Sequence, residues 1–261
     1  MRRLTLSAIA VMTPLVAALL TGCGGEGTSA TALLTTGTPG QTPDAAKFSP
    51  FNDTPETATG GREVITNPSL AEVMQAGDLG EMSWGRADAP VTIIKYASLT
   101  CPYCRKFHLE TYPQLKKDYI DTGKVRFIIR EFPIGKSSGT ATVALRCAPP
   151  DKYLDLYGKF LSQQGAWVSQ DVRIPEITKV AAQVGITGAQ FTSCLENRDM
   201  ITKLNWVKER GRKLGIIGTP NFFINGKLVK SVIGMNEIRG YIAAAEQGKV
   251  AGPAQSAVKA N

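Results

Sequence analysis

Two cysteines separated by only two residues, Cys101 and Cys104, lie at the junction of a predicted strand and a predicted helix. The preceding run, Val91–Ala97, is apolar enough for a buried strand, and Arg105–Ile120 has a helical pattern. A cysteine at a helix N-terminus meets unpaired backbone N–H groups and the positive end of the helix dipole, which favour the thiolate. Because the thiolate is the form that attacks disulfides, the sequence predicts a redox centre at this junction.

The N-terminus has the pattern of a secretory signal peptide, residues 1–22. Two arginines precede an apolar stretch that is too short for a permanent membrane-spanning helix. The stretch ends in a sequence similar to the lipobox of bacterial lipoproteins, which predicts lipidation of Cys23 and a location in the cell envelope or periplasm. A plain secreted protein and an uncleaved anchor are the alternatives. The segment 23–62 is rich in Gly, Thr, Pro and Ser, so we expect a disordered tether.

The formal net charge of the 261 residues is +8, and a basic surface can attract nucleic acid, anionic lipid or acidic proteins. No basic block is interleaved with aromatic residues, so we expect no nucleic-acid partner. The densest basic cluster follows one predicted helix and is interpreted as its solvated face. Its members are Lys203, Lys208, Arg210, Arg212 and Lys213.

The remaining sequence predicts one α/β domain, 63–250, followed by a flexible tail, 251–261. Its elements follow the order βαβ, a helical block at about 136–214, and ββα. The βαβ spacing implies a parallel strand pair with a right-handed crossover, and Asn225-Gly226 predicts a hairpin turn. The predicted strands are 79–84, 91–97, 125–132, 221–224 and 227–232. The predicted helices are 68–76, 101–120, 138–147, 153–163, 175–184, 189–196, 198–214 and 236–246.

This sequence resembles the DsbA family of thioredoxin-fold thiol–disulfide oxidoreductases. Three motifs carry the resemblance: YASLTCPYC at 96–104, REFP at 130–133 and GTPNFFING at 218–226. The helical block falls where that family inserts its helical domain. The resemblance therefore implies a thioredoxin fold with an inserted all-helical subdomain.

The resemblance also implies a role for each residue of the cysteine motif. Cys101 matches the attacking cysteine and Cys104 the resolving cysteine, with Pro102-Tyr103 as the active-site dipeptide. The implied activity is disulfide formation in exported proteins by exchange through a Cys101–Cys104 disulfide. Many DsbA oxidases have Pro-His between the cysteines, so the tyrosine predicts a milder oxidant.

The third motif implies a client-binding loop. Pro220 matches the cis-proline that faces the active-site disulfide in that family, and the backbone of Thr219 before it can bind an extended chain. Unfolded or reduced exported proteins are the expected clients. A membrane redox partner such as a DsbB-like oxidase is the expected source of oxidising equivalents. We expect no metal and no cofactor besides the active-site disulfide.

Two further cysteines, Cys147 and Cys194, lie in the helical block. A structural disulfide, two buried free thiols and a pair of metal ligands are the three interpretations, and export favours the disulfide. Zinc binding by all four cysteines is disfavoured because the second pair lacks close spacing.

Lys95 is either buried near Cys104, where its charge favours a thiolate, or extended to solvent. The lone histidine, His108, is interpreted as a packing residue rather than a pH-sensitive neighbour of the site.

Two other functions fit the same residues. The first is an envelope isomerase or reductase, which the active-site dipeptide and Thr219 also allow. The second is a non-catalytic, thioredoxin-fold binding lipoprotein in which Cys101 and Cys104 form a structural bond. That second possibility predicts slow cysteines with a high pKa.

Overall fold

The structure of the chain, a computed structural model, describes residues 64–230 and 232–247. The predicted signal peptide, Cys23, the tether and the tail lie outside the described residues, as do the first and last residues of the predicted domain. None of the helices in the described ranges has the length and apolar character needed to span a bilayer.

The described residues form a five-stranded sheet with the strand order β1-β3-β2-β4-β5. The strands are β1 Met82–Trp84, β2 Val91–Ala97, β3 Val125–Glu131, β4 Asn221–Ile224 and β5 Lys227–Val229. The central pair, β2 and β3, is parallel, and the other pairs are antiparallel. Every residue of β2 is buried, as expected for a strand that is rich in β-branched and apolar residues and is covered on both faces.

Helices cover both faces of this sheet. The α-helices are α1 Leu70–Met74, α2 Pro102–Lys106, α3 Tyr112–Leu115, α4 Gly135–Cys147, α5 Tyr153–Ser162, α6 Gln164–Trp167, α7 Ile174–Ala182, α8 Gly188–Glu196, α9 Arg198–Lys213 and α10 Met235–Glu246. Helices α4 to α9 lie between β3 and β4 in sequence. The predicted thioredoxin fold with an inserted all-helical subdomain is therefore confirmed.

Alternate side chains of β2 contribute to two hydrophobic clusters on opposite faces of the sheet. Ile93 belongs to the larger cluster, which includes buried residues of α5 and α7, whereas Ile94 and Tyr96 belong to the smaller one. The N-terminal part of α9 packs into the larger cluster. Near its C-terminus, Gly211 allows close approach to the sheet, because a Cβ there would lie 2.8 Å from the Tyr96 ring.

This packing corrects the interpretation of the basic cluster. Lys208 and Arg212 are buried, so the prediction of a solvated face is wrong for these two residues. The Lys208 ammonium lies 5.9 Å from the centroid of the Phe132 ring, and Arg212 forms an ion pair with Glu209 on the same helix. The long basic side chains cover apolar surface that a count of charges does not reveal.

The predicted helix 101–120 is not one regular α-helix. Two π-helical segments, Phe107–Thr111 and Lys116–Ile120, alternate with α2 and α3. Pro113 lies in the first turn of α3, where a residue without a backbone N–H cannot continue the preceding hydrogen-bond pattern.

At the other end of the domain the predicted hairpin is present, with positive φ at Asn225 and Gly226. Strand β5 ends at Val229 rather than at 232.

Candidate functional site

The cysteine pair lies at the N-terminus of α2, directly after β2. Cys101 is the N-cap residue, and its sulfur accepts a hydrogen bond of 3.3 Å from the Cys104 backbone N–H. Pro102 occupies the first turn, where its missing N–H costs no hydrogen bond. Both cysteines are free thiols in the structure. Cys101 is partly exposed and Cys104 is fully buried, so only Cys101 can be reached from outside.

The loop before β4 brings Thr219 and Pro220 opposite Cys101. The Thr219–Pro220 peptide bond is cis, and the Cys101 thiol donates a hydrogen bond of 3.1 Å to the Thr219 carbonyl oxygen. The Thr219 hydroxyl is buried and has no hydrogen-bond partner within the described part of the chain. The structure therefore brings together four of the predicted site residues across a sequence separation of more than a hundred residues.

The two thiols differ strongly in acidity. A hydrogen bond from the Cys104 side chain, supported by Thr219 and by the backbone N–H groups of Cys104 and Tyr103, lowers the pKa of Cys101 to about 6 despite partial burial. Burial raises the pKa of Cys104 well above its usual value, and the hydrogen bond to Cys101 raises it further. At neutral pH the pair therefore holds one accessible thiolate and one buried thiol.

Lys95 is buried next to Cys104. Its ammonium donates hydrogen bonds to the Tyr157 hydroxyl at 3.2 Å and to the Cys104 carbonyl oxygen at 3.4 Å. The alternative in which Lys95 extends to solvent is therefore wrong. The charge of Lys95 lowers the pKa of Cys104, as expected for a buried neighbour, but desolvation of that thiol has the larger effect.

His108 packs beneath the site between two tyrosines. Its ring is stacked on Tyr112 and meets the Tyr157 ring edge-on. Burial, together with the nearby charge of Lys95, lowers the pKa of His108 to about 4, so this ring is neutral at physiological pH. These contacts agree with the interpretation of His108 as a packing residue.

The helical subdomain also forms hydrogen bonds with the loop that carries the cysteines. The sequence did not predict these contacts. The Gln164 side-chain amide, at the start of α6, donates hydrogen bonds to the carbonyl oxygens of Leu99 at 2.7 Å and Cys101 at 3.1 Å. The Ser98 hydroxyl lies 2.8 Å from the Ser138 hydroxyl on α4. No local pattern marks these contacts, because the partners are 40 to 65 residues apart in the chain.

The second cysteine pair lies away from this site. A disulfide joins Cys147, at the end of α4, to Cys194 on α8, with 6.0 Å between the Cα atoms. It closes a chain segment within the helical subdomain. In the described residues, no three or more His, Cys, Asp or Glu side chains are grouped as metal ligands.

A cysteine pair at a helix N-terminus, facing a Thr-cis-Pro loop beside this sheet, defines a thioredoxin-fold protein with a redox-type site. The sequence profile of the family described as "Thioredoxin" matches residues 78–244. This chain belongs to that family, and the three motifs that resemble the DsbA family lie within the matched residues.

Two relatives illustrate this similarity. "Putative protein-disulfide oxidoreductase RC0029" of Rickettsia conorii is 32% identical over 183 residues, which are 67% of this chain and 65% of the relative. The match thus spans slightly less than two thirds of that protein. "Disulfide bond formation protein D" of Bacillus subtilis is 27% identical over 205 residues, which are 74% of this chain and 86% of the relative.

Solved structures share the fold. Wolbachia pipientis alpha-DsbA1 superposes with a TM-score of 0.62 at 24% identity, covering 69% of this chain and 97% of that one. The oxidised form of BdbD from Bacillus subtilis superposes with a TM-score of 0.60 at 24% identity, covering 71% of this chain and 99% of that one. At this level of identity the likeness establishes the fold.

Proposed function

We propose that this protein is a thiol–disulfide oxidoreductase that forms disulfide bonds in exported proteins through Cys101 and Cys104. One observation carries the proposal. An accessible sulfur with a pKa of about 6 lies next to a buried thiol whose pKa is raised. A thiol of low pKa is a good leaving group, which is what an oxidant of other thiols requires.

The reaction starts from the Cys101–Cys104 disulfide. A client thiolate attacks the Cys101 sulfur, the only exposed one of the pair, and the Cys104 sulfur leaves. A second client thiolate then attacks the client sulfur of the mixed disulfide and expels Cys101 as a thiolate. Two electrons have passed from the client to the cysteine pair, and the client has gained a disulfide.

The surface around Cys101 suits an unfolded client. Tyr103 and Ile217 are 58% and 53% exposed, although both are large and apolar, and they lie two residues from Cys101 and from Thr219 respectively. The carbonyl oxygen of Thr219 lies beside the reactive sulfur, where an extended chain can pair with it. Such contacts accept many sequences, so reduced exported proteins are the proposed clients.

The cell envelope is the proposed location, and lipid on Cys23 is the proposed anchor. The signal-like N-terminus and the lipobox-like sequence support both. The similarity to a protein named "Disulfide bond formation protein D" supports a role outside the reducing cytosol. A DsbB-like membrane oxidase is the proposed partner that regenerates the Cys101–Cys104 disulfide.

Trapping of mixed disulfides tests the proposal. The Cys104→Ala variant lacks the thiol that would release a captured partner, so it should accumulate disulfide-linked envelope proteins through Cys101. The adducts are measured by non-reducing electrophoresis after acid quenching. Cys101→Ala is the matched control and should give none. Equal adducts in both variants, or none in either, would contradict the proposed function.

A further inference from the structure

Four segments of the chain meet around Cys101. The loop before β4 contacts this cysteine through the Thr219 carbonyl oxygen. The segment between β3 and α4 reaches the preceding residue, because the Thr100 hydroxyl donates a hydrogen bond of 3.4 Å to the Ile134 carbonyl oxygen. Gln164 on α6 donates to the Cys101 carbonyl oxygen. We call these segments the rim of the site: residues 98–106, 133–138, 163–166 and 216–220.

The rim is positively charged. Its charged side chains are Arg105, Lys106 and Lys136, all of them exposed, and its sequence contains no Asp or Glu. Glu110, one turn beyond the rim, lies 3.9 Å from the Lys106 ammonium and partly offsets that charge. Arg105 forms no hydrogen bond or ion pair through its side chain within 64–230 and 232–247. A client that approaches Cys101 therefore meets at least one cation without a partner in this part of the chain.

Arg105 lies one helical turn after Cys101, because its backbone N–H donates a hydrogen bond of 3.1 Å to the Cys101 carbonyl oxygen. Side chains of a helix lean toward the helix N-terminus, so the Arg105 side chain leans toward the turn that carries the sulfur. The hydrogen bonds that lower the pKa of Cys101 come from other groups, namely Cys104, Thr219 and Tyr103. The guanidinium is therefore available to a molecule that binds at the rim.

The apolar side chains of the rim do not distinguish clients by charge. Tyr103, Ile134 and Ile217 are exposed and offer contacts that many unfolded sequences can make. A cation beside them attracts a carboxylate and repels another cation, which adds discrimination to a tolerant surface. The combination suits a client segment that carries both apolar and acidic side chains.

We propose that the rim selects clients in which carboxylates flank the reacting cysteine, and that Arg105 is the main residue that sets this preference. The inference rests on the proposed function and names its substrate class. The bonds change as described above: the client thiolate attacks the Cys101 sulfur, the S–S bond breaks, and the Cys104 sulfur leaves. Arg105 forms and breaks no covalent bond, so its charge acts on client binding, through KM.

Oxidation of three dithiol peptides by the oxidised, full-length protein tests this preference. The peptides share two cysteines, which are flanked by glutamates, by glutamines or by lysines. Chromatography after acid quenching measures the peptide disulfide that forms. Each rate is divided by the rate of the same peptide with hydroxyethyl disulfide, an uncharged oxidant, because nearby charges also change the pKa of the peptide thiols.

The normalised kcat/KM should be about fivefold higher for the glutamate peptide than for the glutamine peptide at low ionic strength, and lowest for the lysine peptide. The difference should lie mainly in KM. It should shrink toward unity in about 1 M salt, where the Debye length falls to about 3 Å.

Substitutions at Arg105 assign the preference to one side chain. Arg105→Gln should reduce the ratio of glutamate to glutamine peptide toward unity, Arg105→Glu should invert it, and Arg105→Lys should retain most of it. Arg198→Gln is the matched control, because Arg198 is an exposed arginine at the start of α9, outside the rim. This control should show the wild-type ratio.

The outcomes separate this proposal from the proposed function. Equal normalised values for the three peptides in the wild type would overturn the client preference and leave the proposed function standing. An undiminished glutamate preference in Arg105→Gln would overturn the role of Arg105. If the wild type oxidises none of the peptides, the proposed function itself fails, and the client preference fails with it.

Discussion

Cys101 and Cys104 are three residues apart, yet they hold their protons with very different strength. The Cys101 sulfur lies at the N-terminus of α2 and accepts the Cys104 N–H, whereas the Cys104 side chain points into the core. Hydrogen bonds to an anion stabilise it, and loss of water destabilises it. The local chain direction after β2 therefore decides which cysteine is accessible and which one is buried.

The effect of the Thr219 hydroxyl on the Cys101 pKa can be tested by a single substitution. Thr219→Val keeps the shape of the side chain but removes a buried hydroxyl that forms no other hydrogen bond among the described residues and that lowers the pKa of Cys101. A hydrogen bond to a charged group contributes ~1.5–3 kcal/mol, so the Cys101 pKa should rise by about one to two units. The ultraviolet absorbance of the thiolate, followed against pH, measures this shift. Thr192→Val on exposed α8 is the control, and an equal midpoint in both variants would refute the role of the hydroxyl.

At the scale of elements, α6 acts as a support for the active-site loop. It is a single turn, yet Gln164 at its start reaches two carbonyl oxygens of the segment that connects β2 to α2. The Leu99 carbonyl oxygen accepts no backbone N–H in the described ranges, whereas the Cys101 carbonyl oxygen also accepts the Arg105 backbone N–H at 3.1 Å. A partly buried carbonyl needs a donor, and Gln164 supplies one to Leu99. The inserted subdomain thus holds the segment that carries Cys101 through these hydrogen bonds.

Gln164→Ala removes both donors and should lower the free energy of unfolding of the reduced protein by about 1–2 kcal/mol. Urea unfolding followed by tryptophan fluorescence measures the loss. Gln163→Ala is a matched control, because the side chain of this neighbouring glutamine bonds only to exposed Gln183 among the described residues. Its loss should cost less than about 0.5 kcal/mol. Equal losses of unfolding free energy in the two variants would mean that the hydrogen bonds to the loop stabilise the protein no more than an exposed side-chain bond does.

Local signals in the sequence predicted the elements that depend on few neighbours. The Cys-x-x-Cys motif after an apolar run, and the Asn225-Gly226 turn, are decided by backbone geometry within a few residues. The burial of Lys95 and Lys208, and the hydrogen bonds of Gln164, depend instead on which helix packs against which strand. Side chains with both an apolar stem and a polar end satisfy either environment, so residue type alone cannot assign them.

At the scale of the whole molecule, a buried ionic group ties the helical subdomain to the sheet. Glu131, the last residue of β3, accepts hydrogen bonds from Arg146 on α4 at 2.9 Å and from the Tyr153 hydroxyl on α5 at 2.8 Å. A buried carboxylate is tolerated only when it is paired in this way. Within the same subdomain, the Cys147–Cys194 disulfide joins α4 to α8.

Removal of that disulfide separates stability from reactivity. The sequence separation of 47 residues gives a stabilisation of about 4 kcal/mol in the chain-entropy model, so a Cys147→Ala/Cys194→Ala variant should unfold at lower urea concentration. The pKa of Cys101 should not change, because none of its contacts involves either residue. Urea unfolding and thiol titration of the same sample measure both quantities. A shift of the Cys101 pKa in the double variant would show that the subdomain disulfide influences the active site.

The low pKa of Cys101 also links reactivity to the stability of the whole reduced protein. Because the folded pKa, about 6, lies below the usual value of 9.0, folding is favoured by the thiolate above pH 9. This contribution decreases as the pH falls and is lost below about pH 6. A Cys101→Ser variant should therefore lose its stability difference from the reduced wild type in acid.

The most direct measurement is the rate of Cys101 alkylation against pH in the folded protein and in the same protein unfolded in urea. Iodoacetamide reacts with the thiolate, and Cys104 is shielded in the folded state. The folded protein should show an inflection near pH 6, and the unfolded chain should show one near pH 9. An inflection near 9 in both states would mean that the fold does not activate Cys101, which would contradict its assignment as the attacking cysteine of a redox pair.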